Sequence, residues 1–354
     1  MKEKKSTIEQ VLLRFKSGIQ DSRESLSAVA LTPGNYLWLG CDETSSIERL
    51  SCTVPNTFEN HERFLVADFV PPITDSDKEI DIEGLDYADG YLWLVGSHSL
   101  KRKKPNSKKT DLENIQNLAI IEPEKNRFLL ARIPLVGDRL YQSCTHPENP
   151  DKQLTAARLE TTKSGNSLTD VLLKDPHIAP FLKAEIPGKD NGFDIEGLAV
   201  YKNNIFLGLR GPVLRGWAIV LEIKVKEINS TSLKLKKVED KRYKKHFIDL
   251  DGLGVRDLCI DGQDLLILAG PTMDIDGPVR IYRLENGVNL PENVLSKPTP
   301  ILDIPYGDGE DHAEGMTFFS TEGNQKSLIV LYDSPAKKTR LQGDDSVLAD
   351  IFQL

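Results

Sequence analysis

One pentapeptide occurs twice in this chain and constrains its fold more than any other feature. Asp81-Ile82-Glu83-Gly84-Leu85 recurs as Asp194-Ile195-Glu196-Gly197-Leu198. Each copy leads through a short turn into a second apolar run. Asp89-Gly90 precedes Tyr91-Leu92-Trp93-Leu94-Val95-Gly96, and Asn203-Asn204 precedes Ile205-Phe206-Leu207-Gly208-Leu209-Arg210. β-rich runs joined by such turn residues predict hairpins. Three weaker copies fit the same template. Leu26 to Leu31 turns at Pro33-Gly34 into Tyr36 to Asp42, and Val255 to Ile260 turns at Asp261-Gly262 into Leu265 to Gly270. The last, His312-Ala313-Glu314-Gly315-Met316, precedes Ser327 to Asp333.

A fixed period of this length is the mark of a repeat architecture. The equivalent positions Ser25, Asp81, Asp194, Gly254 and His312 are separated by 56, 113, 60 and 58 residues. The long interval is close to twice the others, so the spacing predicts six units of about 57 residues. They would start near 25, 81, 138, 194, 254 and 312, the third being divergent. Four short strands per unit around one axis is the propeller plan. The expected fold is therefore all-β, a single β-propeller over residues 1–354 with about six four-stranded blades. Within 138–190, Ser167 to Leu173 and Ile178 to Leu182 predict short helices broken at Asp175-Pro176, an insertion placed to shade one mouth of the ring. Ile8 to Phe15 is expected to supply an outer strand to the last blade and close the ring.

Charged residues at 28% and hydrophobic ones at 39% mark a soluble globular chain. No stretch reads as a signal-peptide core or a membrane span, so the expected setting is cytoplasmic, with no membrane partner. A net charge of −9 argues against nucleic acid, although Lys101 to Lys109 and Lys234 to Lys245 are locally basic. The first basic run has none of the interleaved aromatics that single-strand binding uses. Cys41, Cys52, Cys144 and Cys259 show no metal-type spacing and read as reduced thiols. A protein partner stays open.

The doubled pentapeptide, Gly96-Ser97-His98-Ser99-Leu100-Lys101-Arg102-Lys103-Lys104, Gly208-Leu209-Arg210-Gly211-Pro212-Val213-Leu214 and Gly254-Val255-Arg256-Asp257-Leu258 together resemble an uncharacterised bacterial family, domain of unknown function 3616. The resemblance runs from about residue 25 to Leu348-Ala349-Asp350-Ile351-Phe352. Asp-x-Glu-Gly-Leu alone is more weakly similar to the esterase-like phytase propellers. The family resemblance implies a propeller and brings no established activity with it.

In a propeller, equivalent repeat positions converge at the mouths of the central channel. The Glu-like position holds Ser27, Glu83, Glu196, Arg256 and Glu314, and the ends of the second strands offer Asp42, His98, Arg210, Gly270 and Asp333. Clustered carboxylates cannot all stay ionised unless a cation or arginines compensate them. Asp81, Glu83, Asp194, Glu196 and Glu314 are thus expected as ligands of a divalent cation, Ca²⁺, Mg²⁺ or Mn²⁺. Arg210 and Arg256 would hold an anionic group, and His98 or His312 would shuttle a proton. That set describes metal-assisted hydrolysis of a small phosphate or related ester. The alternative is a non-enzymatic propeller, a ligand- or protein-binding platform with a structural cation, in which Arg256 pairs with Glu196 or Glu314. No GxSxG, HExxH or P-loop signature is present.

Overall fold

The computed structural model describes residues 9–18, 20–76, 78–237, 240–320 and 326–354. The hairpins expected from the repeat are present in all five recognised copies. Ile82–Ala88 pairs with Tyr91–Gly96, and Asp194–Tyr201 pairs with Asn204–Gly211. Adding the strands that follow gives five four-stranded antiparallel units, here called blades 1 to 5. Blades 1 and 5 are joined into one sheet by a parallel pairing of their outer strands, and blades 2 and 3 are each extended by further strands in parallel.

Blade 1 is Leu26–Thr32, Tyr36–Cys41, Ser46–Val54 and Thr57–Leu65. Blade 2 is Ile82–Ala88, Tyr91–Gly96, Leu130–Val136 and Ala157–Leu159, and blade 3 is Asp194–Tyr201, Asn204–Gly211, Trp217–Ile223 and Tyr243–Asp249. Blade 4 is Gly254–Asp261, Asp264–Gly270, Val279–Leu284 and Thr299–Ile304. Blade 5 takes His312–Ser320, Lys326–Asp333 and Ser346–Gln353, and its outer strand is the N-terminal Glu9–Arg14. Ring closure by the N-terminal strand matches the expectation, with Ile8 lying outside the described residues.

The innermost strands pack in the cyclic order of blades 1, 2, 3, 4, 5 and back to 1. The ring therefore has five blades, and the sixth unit expected to start near Asp138 is not one. Blade 2 packs directly on blade 3. Residues 138–190 instead form two small hairpins, helices Ser167–Leu172 and Ala179–Lys183, and the outer strand of blade 2. Their apolar side chains Leu154, Leu168, Leu172 and Ile178 sink into the wedge between the outer parts of blades 2 and 3, against Trp93 and Leu221. An insertion and a diverged blade add the same length to an interval. Only a long apolar inner strand distinguishes a blade, and this segment has none.

Every inner strand carries a β-bulge at the same place. The extra residue is Ser27, Glu83, Glu196, Arg256 or Glu314, so five equivalent positions drop out of the ladder. A bulge leaves one residue unpaired and re-aims its side chain. The next position is tight: a Cβ on Gly84 would lie 2.6 Å from Leu198 Cβ of the neighbouring inner strand. Glycine there lets the strands crowd the axis.

Carboxylates just beyond the bulge tie the ring together. Asp86 of blade 2 accepts the Val200 N–H of blade 3 at 2.6 Å, and Asp257 of blade 4 accepts the Met316 N–H of blade 5 at 2.7 Å. Burial pushes the Asp86 carboxyl up to about 7 although those N–H bonds oppose it. All four cysteines are free, with Cys41 fully buried. No described helix is long and apolar enough to cross a membrane.

Candidate functional site

The five bulges aim their side chains at one axis, where two chemically different halves meet. In the first half, arginines fill the space between carboxylates. Arg210 Nη1 donates to Glu196 Oε1 at 2.8 Å. Arg256 Nη1 bridges Glu196 Oε2 at 3.1 Å and Glu314 Oε1 at 2.8 Å. Both guanidiniums are also held by carbonyls, Arg210 by Thr272 O at 3.0 Å and Arg256 by Pro271 O at 3.1 Å. Burial works against the charge on Arg210, but the fields of Glu196 and Asp194 outweigh it and hold the group firmly protonated. Glu314 is pushed up to about 7 by burial and by Asp333, against the pull of Arg256.

The second half surrounds a cavity of about 170 Å³ lined by Asp42, Asp81, Glu83, Arg127, Lys189 and Asp194, among others. Asp81, in a left-handed backbone conformation, meets Arg127 Nη1 at 3.0 Å. Arg127 also pairs with Glu79 and donates to Ser99 Oγ at 3.2 Å. Lys101 closes the group on Glu79 at 2.7 Å. Glu83 is 8% exposed and makes no hydrogen bond or ion pair within the described residues. Burial, then the charges of Asp81, Glu196 and Glu314, push its carboxyl well above the usual range and so favour its protonated form. Asp194 is buried with one oxygen unpartnered and is pushed up to about 8 by burial and by Glu196. Asp42 also leaves an oxygen unpartnered; burial and then Asp333 raise it well above its ordinary value.

Lys189 reaches the same cavity from the loop after the second inserted helix. Burial disfavours its charge, yet Glu314, Asp42 and Asp274 more than compensate and keep it an ammonium. It makes no ion pair within the described residues. This loop, rather than the inserted helices, is the part of the insertion that covers the axis. Lys101, Arg102, Lys103 and Lys104 also line the cavity, and Arg102 pairs with Asp190 of the same loop at 2.7 Å.

Of the nine residues singled out from the repeat, seven gather at the axis: Asp81, Glu83, Asp194, Glu196, Arg210, Arg256 and Glu314. The two histidines do not join them. His98 turns away at φ +57°, its Nδ1 lying 2.7 Å from Gly96 O and its Nε2 2.7 Å from Asn166 Nδ2. An amide nitrogen only donates, so Nε2 is the acceptor and Nδ1 carries the proton. Burial lowers the ring to about 4, leaving a neutral structural imidazole behind the cavity wall. His312 sits part-exposed at 3.3 Å from Asp276, outside the cavity.

Among the described residues no three His, Cys, Asp or Glu side chains come together as a metal-binding group. The carboxylates are bridged by guanidinium groups where cation ligation was expected, which is the other means of compensating their charge. Sequence reasoning missed Arg127, Lys189, Glu79 and Ser99. None stands at a repeat position, since all four come from connections. The one usable signal was the polar loop Pro187-Gly188-Lys189-Asp190 just ahead of the second pentapeptide.

Searches among solved structures return proteins of very low identity that align over nearly the whole chain. The PQQ-bound aldose sugar dehydrogenase of Streptomyces coelicolor is 9% identical with a TM-score of 0.39, covering 98% of this chain and 99% of that one. Virginiamycin B lyase of Staphylococcus aureus is 11% identical, with a TM-score of 0.36 and coverage of 98% and 100%. An endo-arabinase of Bacteroides thetaiotaomicron is 10% identical, with a TM-score of 0.42 and coverage of 96% and 97%. Likeness at this level says nothing of the chemistry here, and no match supports the weaker similarity to esterase-like phytases. No curated protein matches the sequence. A family model does match, over residues 25–350. The chain belongs to the family described as "Protein of unknown function (DUF3616)".

Proposed function

We propose that the axial cavity hydrolyses a small anionic ester by acid–base chemistry. Arg127 and Lys189 hold the anionic group, and the basic stretch from Lys101 to Lys104 draws it to the mouth. Glu83, favoured in its protonated form, donates its proton to the leaving oxygen. Asp81, held next to Arg127, takes a proton from the attacking water. The reading is written through the side chains that line the cavity. A reducing, cytoplasmic setting is part of the proposal and is supported by four free thiols.

The observation that carries it is Glu83. It is the one axial carboxyl delivered by a bulge, buried, without any partner in the described residues, and open to a cavity that also holds two cations. Desolvation plus like charge is the usual way a carboxyl is kept protonated for catalysis. The test is a panel of carboxylic and phosphoric esters with the wild type and Glu83→Gln. A fall in kcat of about 10²-fold or more is expected; unchanged turnover overturns the assignment.

The bridged half favours a second reading. Glu196, Arg256 and Glu314 are already satisfied by one another, as a ligand-binding platform without turnover would need. In that case anions bind competitively at Arg127 and Lys189 while no ester on the panel is consumed.

A further inference from the structure

The axial cavity has a neighbour of quite different character. A groove of about 410 Å³ lies behind its wall, floored by Leu100, Phe128, Leu173, Phe181, Ile186 and Phe193. It exists because of the insertion. The helices Ser167–Leu172 and Ala179–Lys183 pack one side into the wedge between blades 2 and 3 and leave the other facing the loops of blade 2.

Asn166 pins the insertion to that wall. Fully buried, it caps the first inserted helix by accepting from the Leu168 and Thr169 N–H groups at 2.9 and 3.1 Å. Its amide nitrogen meanwhile donates to Phe128 O at 2.8 Å and to His98 Nε2 at 2.7 Å. The groove is thus bounded by polar contacts that are all satisfied, and its floor stays apolar and aromatic. A pocket of roughly 300–1,000 Å³ with such a lining is the usual form of a small-molecule site.

The rim supplies the rest of the chemistry. Lys125, Lys163 and Lys183 line the same groove, are exposed, and make no hydrogen bond or ion pair within the described residues. Glu185 is the single acidic residue among the lining side chains. In a chain of net charge −9, three unpaired lysines against one carboxylate around an apolar floor is a local reversal of sign. Lysines are flexible point charges that attract an anionic head without dictating its shape.

We propose that this groove binds an amphiphilic anion, a single carboxylate or similar head on an apolar tail, at a site separate from the axial cavity. The wall between the two is only one chain thick. Ser99 faces the axis while His98 faces the groove, and Arg127 faces the axis while Lys125 and Phe128 face the groove. Lys189 and Ile186 divide in the same way, as do Asp194 and Phe193, and Leu100 lines both spaces. Occupancy of the groove therefore bears directly on the segments that position Arg127 and Lys189.

The experiment is calorimetric titration with decanoate below its micellar range, with 1-decanol and acetate as controls. The full-length wild type, the double variant Lys163→Glu/Lys183→Glu and the axial variant Arg127→Ala are compared. Both reversed lysines are exposed, so an unchanged melting curve for that variant is the folding check. One saturable decanoate site, weakened at least tenfold by charge reversal and retained in Arg127→Ala, supports the proposal. It is overturned if decanoate does not saturate, if 1-decanol binds as tightly, or if binding follows Arg127 instead of the rim. Because ester turnover is not the readout, failure here is distinct from failure of the hydrolytic reading.

Discussion

Glu83 and Glu196 occupy the same bulge of two nearly identical pentapeptides, yet they live in opposite electrostatic worlds. Glu196 receives Arg210 from its own blade and Arg256 from the next one. Glu83 receives neither, because the strand registers put Ser97 where blade 3 has Arg210, and the next inner strand brings Glu196 where Glu196 itself meets Arg256. One half of the axis is consequently a closed lattice of opposite charges. The other is a carboxyl pushed toward its protonated form beside unsatisfied oxygens and a cavity. Backbone geometry sets where a side chain points, and the occupants of neighbouring repeat positions decide whether it is structural or reactive.

Removing Arg256 should break the closed half most severely. Arg256→Met leaves Glu196 and Glu314 without their shared bridge, and a buried pair deprived of one partner loses about 3–5 kcal/mol. Urea denaturation reads this directly; a loss below about 1 kcal/mol would show that the bridge is a solvated surface-type pair. The matching change in the open half, Glu83→Gln, should leave stability within about 1 kcal/mol, since an unpartnered carboxyl favoured in its protonated form is replaced by a neutral amide. Turnover or anion affinity should suffer instead. Equal destabilisation by both variants would erase the distinction between the halves.

The pH dependence sharpens the comparison further. Asp194, held at about 8 by burial and Glu196, binds a proton in the folded chain that an ordinary carboxyl has already released in the unfolded one. Its contribution is full below the unfolded pKa of about 4 and is lost as pH rises through the folded value, at roughly 1 kcal/mol per pH unit in between. Asp194→Asn should flatten the decline in stability between about pH 5 and pH 8, as measured by denaturation at each pH. A decline of unchanged slope would move the proton to another axial group. The smallest effect expected is that of stringent chelation, which should leave the melting curve where it was. A clear drop would mean that a cation takes part in an axis whose described residues show guanidinium bridges alone.

Much of this architecture was legible in the sequence. The Asp89-Gly90 turn fixed one hairpin, the second turns one residue earlier than Asn203-Asn204, at Lys202-Asn203, and the Asp175-Pro176 break separated two helices that the structure also separates. Interval arithmetic failed at the third unit because length carries no sign of whether a segment lies along an axis or beside it. Equivalent positions located the bulge residues, since periodicity maps onto rotation about the ring. Arg127 and Lys189 lay beyond that logic, as connections obey no period. The neutral tautomer of His98 depended on Asn166, 68 residues away, a pairing without any local trace.

The pairing of Glu9–Arg14 with Ser346–Gln353 has a consequence for how the protein is made. Gln10 donates to Asp350 across 340 residues, and Asp350 is itself clamped by Arg340 and Tyr332. Glu9–Arg14 thus completes its pairing only when the much later strand Ser346–Gln353 is made. Until Ser346–Gln353 is synthesised, Glu9–Arg14 has only the short parallel pairing of Leu12 and Leu13 with Thr57 and Phe58, and Val11 and Leu13 lack the part of their core that blade 5 supplies. Translation that stalls late should therefore yield four blades and a loose end, a species more exposed to proteases and chaperones than either a shorter nascent chain or the finished ring.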